Sequence, residues 1–244
     1  MNPSLLKRAI LATTIIVPVL LILFFTFATH NEYVRLETYY DLRNPDFDPS
    51  YIEALGCAPN FVDSVHRVPP FSLINQDSQR VTQADFDDDI YIAHFFLTRC
   101  PNNVCSTTTS ALARVQEVCK KYDDVKILSY SIDPEFDTPE RLRQYADRFE
   151  ADHEVWTFLT GDKEEIYNQA ICGYFVTLTS KNGDLGDHTD RFLLIDKEGR
   201  IRGTDSEKGN PRPSYRGTQR DEVERLIAEI QILHKEYERQ NEAR

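Results

Sequence analysis

Cys100 and Cys105 are the residues with the most evident chemistry. They stand in "AHFFLTRCPNNVCSTTTSALARVQEVC", residues 93–119, where an apolar run stops and a cluster of helix-starting hydroxyls begins. Two thiols at such a junction make a structural disulfide, a redox pair, a metal site or an accident of placement. A disulfide there would close only a short loop and add little chain-entropy stabilisation, which favours a functional pair. The helix start, together with Arg99, is expected to lower the thiol pKa and so favour reactivity and metal binding. Thiolates are soft donors suited to Cu(I), and imidazole suits copper in both oxidation states. His188, in "SKNGDLGDHTD" ahead of the apolar stretch 191–196, is the candidate imidazole. Two thiolates and one imidazole make a three-coordinate site, whereas structural zinc wants a fourth protein ligand. Asp133, after another apolar run, is the available carboxylate.

These residues must be brought together by the elements around them. "IYIAHFFL" (90–97) and "VKILSYSI" (125–132) are continuous apolar runs of strand length, as buried parallel strands should be. A helix is expected from about 106 to 122, with Leu112, Val115, Val118 and Cys119 on its apolar stripe. Thr138 can cap the next helix, Pro139 suits its first turn, and Glu140 sits near the positive end of its dipole. A short strand (155–160), a helix (162–171), a hairpin (191–203) and a final helix (220–237) follow. Residues 68–86 read as two short strands joined by a turn. Alternating strands and helices imply parallel strands, and the closing hairpin adds antiparallel ones. The expected fold is α/β and thioredoxin-like, a mixed sheet flanked by helices over residues 66–240. In open α/β sheets ligands gather beyond the carboxyl ends of the strands, where Cys100, Cys105 and Asp133 fall. If the strand 191–196 runs antiparallel, its start brings His188 to the same rim.

The chain has 244 residues, 41% of them hydrophobic and 11% aromatic, enough for one domain with an attachment. A net charge of −12, with no basic block beyond the first residues, argues against nucleic acid. Residues 9–28 carry no charge and match the length of a bilayer-spanning helix. A signal peptide has a shorter apolar core and a small-residue cleavage site, and "FTFATH" is a poor one. The expectation is an uncleaved anchor over residues 1–30, with Lys7 and Arg8 holding the N-terminus in the cytoplasm. The rest would then be periplasmic, attached to the cytoplasmic (inner) membrane of a bacterium, where disulfides persist. Residues 31–65 read as an arm or linker.

Cys-Pro after a hydrophobic strand, "SIDPEFDTPERLRQYADRF", "GYF" and "DHTDRFLLIDKEGRIR" occur in that order. Over roughly residues 66–235 the sequence resembles the Sco/SenC family. The resemblance implies a membrane-anchored, thioredoxin-like protein that binds copper through Cys100, Cys105 and His188, with Asp133 nearby. It implies as partners the copper-bearing subunit of cytochrome c oxidase, whose dinuclear copper site the family helps assemble, or other copper chaperones. It also admits a thiol-disulfide reductase cycling Cys100 and Cys105.

One departure matters. The family places three residues between its cysteines, and this chain has four. On a continuous helix five positions leave two side chains about 140° apart, against about 40° for four. Convergence therefore requires a loop, for which Pro101, Asn102 and Asn103 are suitable residues, with Ser106 or Thr107 as helix cap. An oxidoreductase of thioredoxin type would carry Cys-x-x-Cys and a facing proline, which are missing here. A peroxiredoxin would carry threonine where Leu97 and Asn102 stand. Cys119 and Cys172 read as core residues. Cys57 reads as a thiol of the arm, or one that pairs transiently with a partner. His94 reads as packed within the sheet, while His66, His153 and His234 read as surface residues. Asp137 and Glu140 read as helix-capping groups, and Asp187 or Asp190 as groups orienting His188.

Overall fold

The computed structural model describes residues 16–21, 36–44, 47–58, 60–101, 103–176, 178, 190–204 and 214–242. It comprises two units, Met1–Arg35 and Leu36–Arg244. In the first, residues 16–21 are helical. No helix among the described residues is long and apolar enough to cross a membrane. Most of the anchor expected over 9–28 lies outside them.

The second unit is built on one mixed sheet. Its parallel centre is β6 (Ile90–Phe96), β7 (Val125–Ser131) and β8 (Trp156–Thr160). Beyond β8 lie β4 (Ser72–Asn75) and β5 (Arg80–Thr82), both antiparallel to their neighbours. On the other side of β6 come β9 (Arg191–Ile195), β10 (Ile201–Gly203) and β1 (Glu37–Thr38). β11 (Tyr215–Arg216) also pairs with β9. β9 is antiparallel to β6, with Phe192 opposite His94, so its first residues lie at the rim where β6 ends.

Alternation along β6 separates the two faces of the sheet. His94 and Phe96 point to a helical layer: His94 meets Thr108 of α2 (Val104–Cys119), and Phe96 meets Tyr145 of α3 (Pro139–Arg148). α5 (Arg220–Glu242) joins this layer through the Arg114–Glu224 pair with α2. Thr138 caps α3 as expected, accepting from the Arg141 amide at 3.4 Å, with Pro139 in the first turn. Phe95 points the other way, onto Tyr130 and Tyr174. Their hydroxyls form a buried chain, Tyr130 to Tyr174 at 2.9 Å and Tyr174 to Tyr91 at 3.3 Å.

Among the described residues, that second face is covered by short pieces instead of long helices. α1 (Ser50–Ala54) and the small hairpin β2 (Phe61–Val62)–β3 (Val65–His66) come from the stretch read as an arm. They meet a segment formed by α4 (Lys163–Asn168) and the π-helical turn Gln169–Gly173. A disulfide joins Cys57 to Cys172 across this layer. The sequence reading of Cys57 as a free or transiently paired arm thiol, and of Cys172 as core, is corrected by this bond. The two residues are 115 positions apart, and no local spacing signals such a pair.

His66, expected at the surface, is 1% exposed. Its Nε2 donates to the Gly173 carbonyl at 2.9 Å. The imidazole packs against Tyr40, Phe61 and Phe175. Phe175 holds φ +54°, a region bulky residues rarely enter, and its ring is fixed between Tyr40 and His66. Burial keeps the His66 pKa below its ordinary value, because a buried imidazolium loses hydration. The unfolded chain therefore binds this proton at a higher pH than the folded chain. Between the two pKa values the unfolded state holds more protons, so stability falls as pH drops through about 6.5. Thermal unfolding at pH 7.5 and pH 5.5 should show the lower Tm at pH 5.5, with a smaller difference in His66→Gln. An equal pH dependence in that variant would remove His66 as the cause.

His153 and His234 are only partly exposed. His153 contacts Gln76 through Nδ1 at 2.9 Å. His234 faces Asp124 at 3.1 Å and packs on Tyr122. Cys119 lies in the core as expected, and burial pushes its thiol pKa up to about 12.

Candidate metal centre

The junction between β6 and α2 shows how the five-residue cysteine spacing is accommodated. The helix begins at Val104, two residues earlier than the hydroxyl pattern predicts, so Cys105 lies in its first turn. Cys100 stays outside the helix, on the chain leaving β6. Asn103 occupies the N-cap position with φ +58°, a left-handed conformation that asparagine tolerates. Ser106 and Thr107, expected to cap the helix with their side chains, instead donate to the Asn103 carbonyl at 2.9 and 3.0 Å. The turn folds Cys100 back over the helix start, and the Cys105 amide points at Cys100 Sγ at 3.5 Å. The two thiols thus do not have to share one face of a helix.

The cysteines differ in access. Cys105 is 1% exposed, while Cys100 is partly exposed. The Cys105 carbonyl accepts from Thr108 Oγ1 at 3.0 Å and Thr109 Oγ1 at 2.7 Å. Thr109 also meets the Tyr145 hydroxyl at 2.9 Å. Behind Thr108 stands His94, fully buried as the sequence suggested. Its Nε2 lies 3.1 Å from Thr108 Oγ1 and its Nδ1 3.4 Å from Ser129 Oγ. Trp156 Nε1 donates to Ser129 at 2.9 Å. One arrangement of hydrogens satisfies the whole chain: Trp156 to Ser129 to His94 Nδ1, then His94 Nε2 to Thr108 to the Cys105 carbonyl. The imidazole thus braces the first turn of α2 from the core, its ring nitrogens committed to hydroxyls.

Asp133 faces Arg99. Its Oδ2 pairs with Arg99 Nε at 2.6 Å, and the Arg99 guanidinium stacks over Phe136, with Arg141 also over that ring. Arg99, expected to act on the thiols, is thus committed to Asp133 as well.

Sequence reading missed the importance of Asp137, taking it as a helix cap. It is fully buried. Its Oδ2 accepts from the Thr98 amide at 3.1 Å and from Ser131 Oγ at 2.6 Å, while Oδ1 accepts from the Thr98 hydroxyl. The available signal was weak: a second aspartate four residues after Asp133, ahead of a Thr-Pro helix start that needed no further cap.

His188 and Asp187 lie outside the described residues. Asp190 is placed at the head of β9, where its carbonyl accepts from the Gly217 amide and its carboxylate from Thr218. Among the described residues no cluster of three or more His, Cys, Asp and Glu could hold a metal ion. The two thiols and the rim formed by the ends of β6 and β7 and the start of β9 are therefore what the described structure contributes. That donor pair suits a soft ion.

The sequence model of the SCO1/SenC family matches residues 63–221. A SCO1 protein homolog of Bacillus subtilis is 30% identical over 139 residues, covering 56% of this chain and 72% of the relative. Among solved structures, BsSco, described as a member of the Sco family of cytochrome c oxidase assembly proteins with a disulfide switch, superposes with a TM-score of 0.58 at 25% identity, covering 72% of this chain and 95% of its own. Arabidopsis thaliana ScoI, solved with copper bound, gives 0.51 at 28% identity over 67% of this chain and 97% of its own.

Proposed function

The chain belongs to the SCO1/SenC family, and on that premise we propose that it is a membrane-anchored copper-binding protein. Its role would be delivery of copper to, or maturation of, the dinuclear copper site of cytochrome c oxidase. Cys100 and Cys105 would hold the ion with His188, which is two residues ahead of Asp190 at the shared rim. The observation that carries this reading is the position of Cys100 Sγ over the first turn of α2, beside the Cys105 amide. This contact supports a shared site despite the longer spacing. Similarity to a relative solved with copper bound supports the choice of ion.

Residues 9–28 would anchor the protein in the inner membrane, with the unit from Leu36 onward outside the cytoplasm. The Cys57–Cys172 disulfide supports this placement, because such bonds persist in oxidising compartments. A second reading, an extracytoplasmic thiol-disulfide oxidoreductase, draws on the same pair, with Cys105 in the first turn of α2 and Cys100 partly exposed.

Competitive Cu(I) titration of the reduced full-length chain in detergent tests the proposal. One tight equivalent is expected, weakened at least tenfold in His188→Ala. Absence of tight binding sinks the copper reading and leaves the oxidoreductase in its place.

A further inference from the structure

From the contacts of the turn between β7 and α3, we infer that Asp137 is a positioning residue for Cys100. It is buried under the site and holds the strand exit from which that cysteine is presented. The inference rests on Cys100 and Cys105 acting as a pair, whether toward copper or in thiol exchange.

The turn 133–137 grips two consecutive residues just before Cys100. Asp137 takes both the amide and the hydroxyl of Thr98. Asp133 takes the side chain of Arg99 at 2.6 Å. The turn is itself closed by the Phe136 and Asp137 amides on the Asp133 carbonyl, at 3.0 and 2.8 Å. Ser131 ties the Asp133 backbone to the Asp137 carboxylate: it accepts from the Asp133 amide at 3.2 Å and donates to Asp137 at 2.6 Å.

These two grips differ in strength. Asp133–Arg99 lies at the surface, where solvent screens an ion pair and a typical contribution is small. Asp137 is fully buried, and hydrogen bonds to a buried carboxylate are both strong and directional. The end of β7 and the exit of β6 are therefore locked through one side chain. Cys105 is fixed independently, by the helix and by the His94–Thr108 bracing. What Asp137 controls is thus the placement of Cys100 relative to Cys105. Tight binding of an ion, or ready closure of a disulfide, depends on that placement being established in advance.

The test compares wild type with Asp137→Ala, Asp137→Asn and Ser131→Ala as full-length chains at 15 °C, with folding checked by circular dichroism. The first readout is the equilibrium of the Cys100/Cys105 pair with glutathione. One glutathione disulfide oxidises the dithiol, giving the protein disulfide and two glutathione thiols. The equilibrium constant reports the effective concentration of one thiol at the other. It is expected to fall at least tenfold in Asp137→Ala. Asp137→Asn keeps a carbonyl acceptor for the Thr98 amide and should fall between wild type and alanine. Ser131→Ala removes a single donor and should lower the constant about threefold. The second readout is Cu(I) affinity, expected to fall in the same order.

A purely structural carboxylate would lower the Tm of these variants and leave both constants unchanged, which would overturn the inference. If Asp137→Ala does not fold, the asparagine and Ser131 variants decide. If the wild type binds no Cu(I), the copper reading fails, and the glutathione equilibrium still decides the role of Asp137.

Discussion

Replacing Cys57 and Cys172 together by serine is expected to lower the unfolding free energy by about 4–5 kcal/mol. The bond spans 115 residues, and in the chain-entropy account a loop of that order restricts the unfolded chain by about this amount. In thermal terms the loss is a fall in Tm of roughly 10–15 °C for a domain of this size. The structural setting explains why a covalent tie is useful here. The layer it crosses contains a five-residue helix, two-residue strands and a π-helical turn. Such elements are too short to be stable by themselves and depend on what they pack against. Urea unfolding of the wild type, the double variant and the wild type under strong dithiol reductant checks the expectation. The variant and the reduced wild type should agree. A difference from oxidised wild type below about 1 kcal/mol would mean that packing alone holds this layer.

Arg202→Ala is expected to cost about 3–5 kcal/mol, the scale seen when one partner of a buried ion pair is removed. Arg202 is 1% exposed and lies between two buried carboxylates. Its Nη1 donates to Asp196 at 3.0 Å and its Nη2 to Glu236 at 2.9 Å. Nη2 also reaches the Leu36 carbonyl at 2.8 Å, and Nε the Glu37 carbonyl at 3.2 Å. One guanidinium thus joins β9, α5 and the strand β1. Deleting it removes the buried donor that Glu236 shares with the Leu36 and Glu37 carbonyls. Asp196 suffers less, because Arg200 still pairs with it at 2.7 Å. Removing one member of a buried ion pair costs more than replacing the pair by apolar groups. Arg202→Met combined with Glu236→Leu should therefore be less damaging than Arg202→Ala, since both charges go together. Denaturant titration of the two variants measures this. A double variant as unstable as the sum of its single changes would contradict it.

Much of the framework was legible because it is locally encoded. Uninterrupted apolar runs marked β6 and β7, and Thr138 with Pro139 marked the start of α3. The final helix was read from its apolar stripe, although it extends to Glu242. The antiparallel setting of β9, on which the shared rim depends, was posed as a condition and is what the sheet shows. The candidate cysteines were legible from chemical type and position alone.

What sequence could not carry were relations between distant residues. The Cys57–Cys172 bond and the burial of His66 against Gly173 and Phe175 join residues more than one hundred positions apart, and Arg202 reaches Glu236 and Leu36, 34 and 166 positions away. Nothing in local periodicity records such meetings, because they arise only when the sheet brings its edges and faces together. The same holds at the site. Residue types at 100 and 105 announce a thiol pair, but a helical projection turns them apart. Their meeting follows from Asn103 in a left-handed turn and from a buried carboxylate at 137 that holds the strand exit. Chain chemistry thus specified which atoms are available, and packing specified where they point, because direction is a property of the assembled backbone.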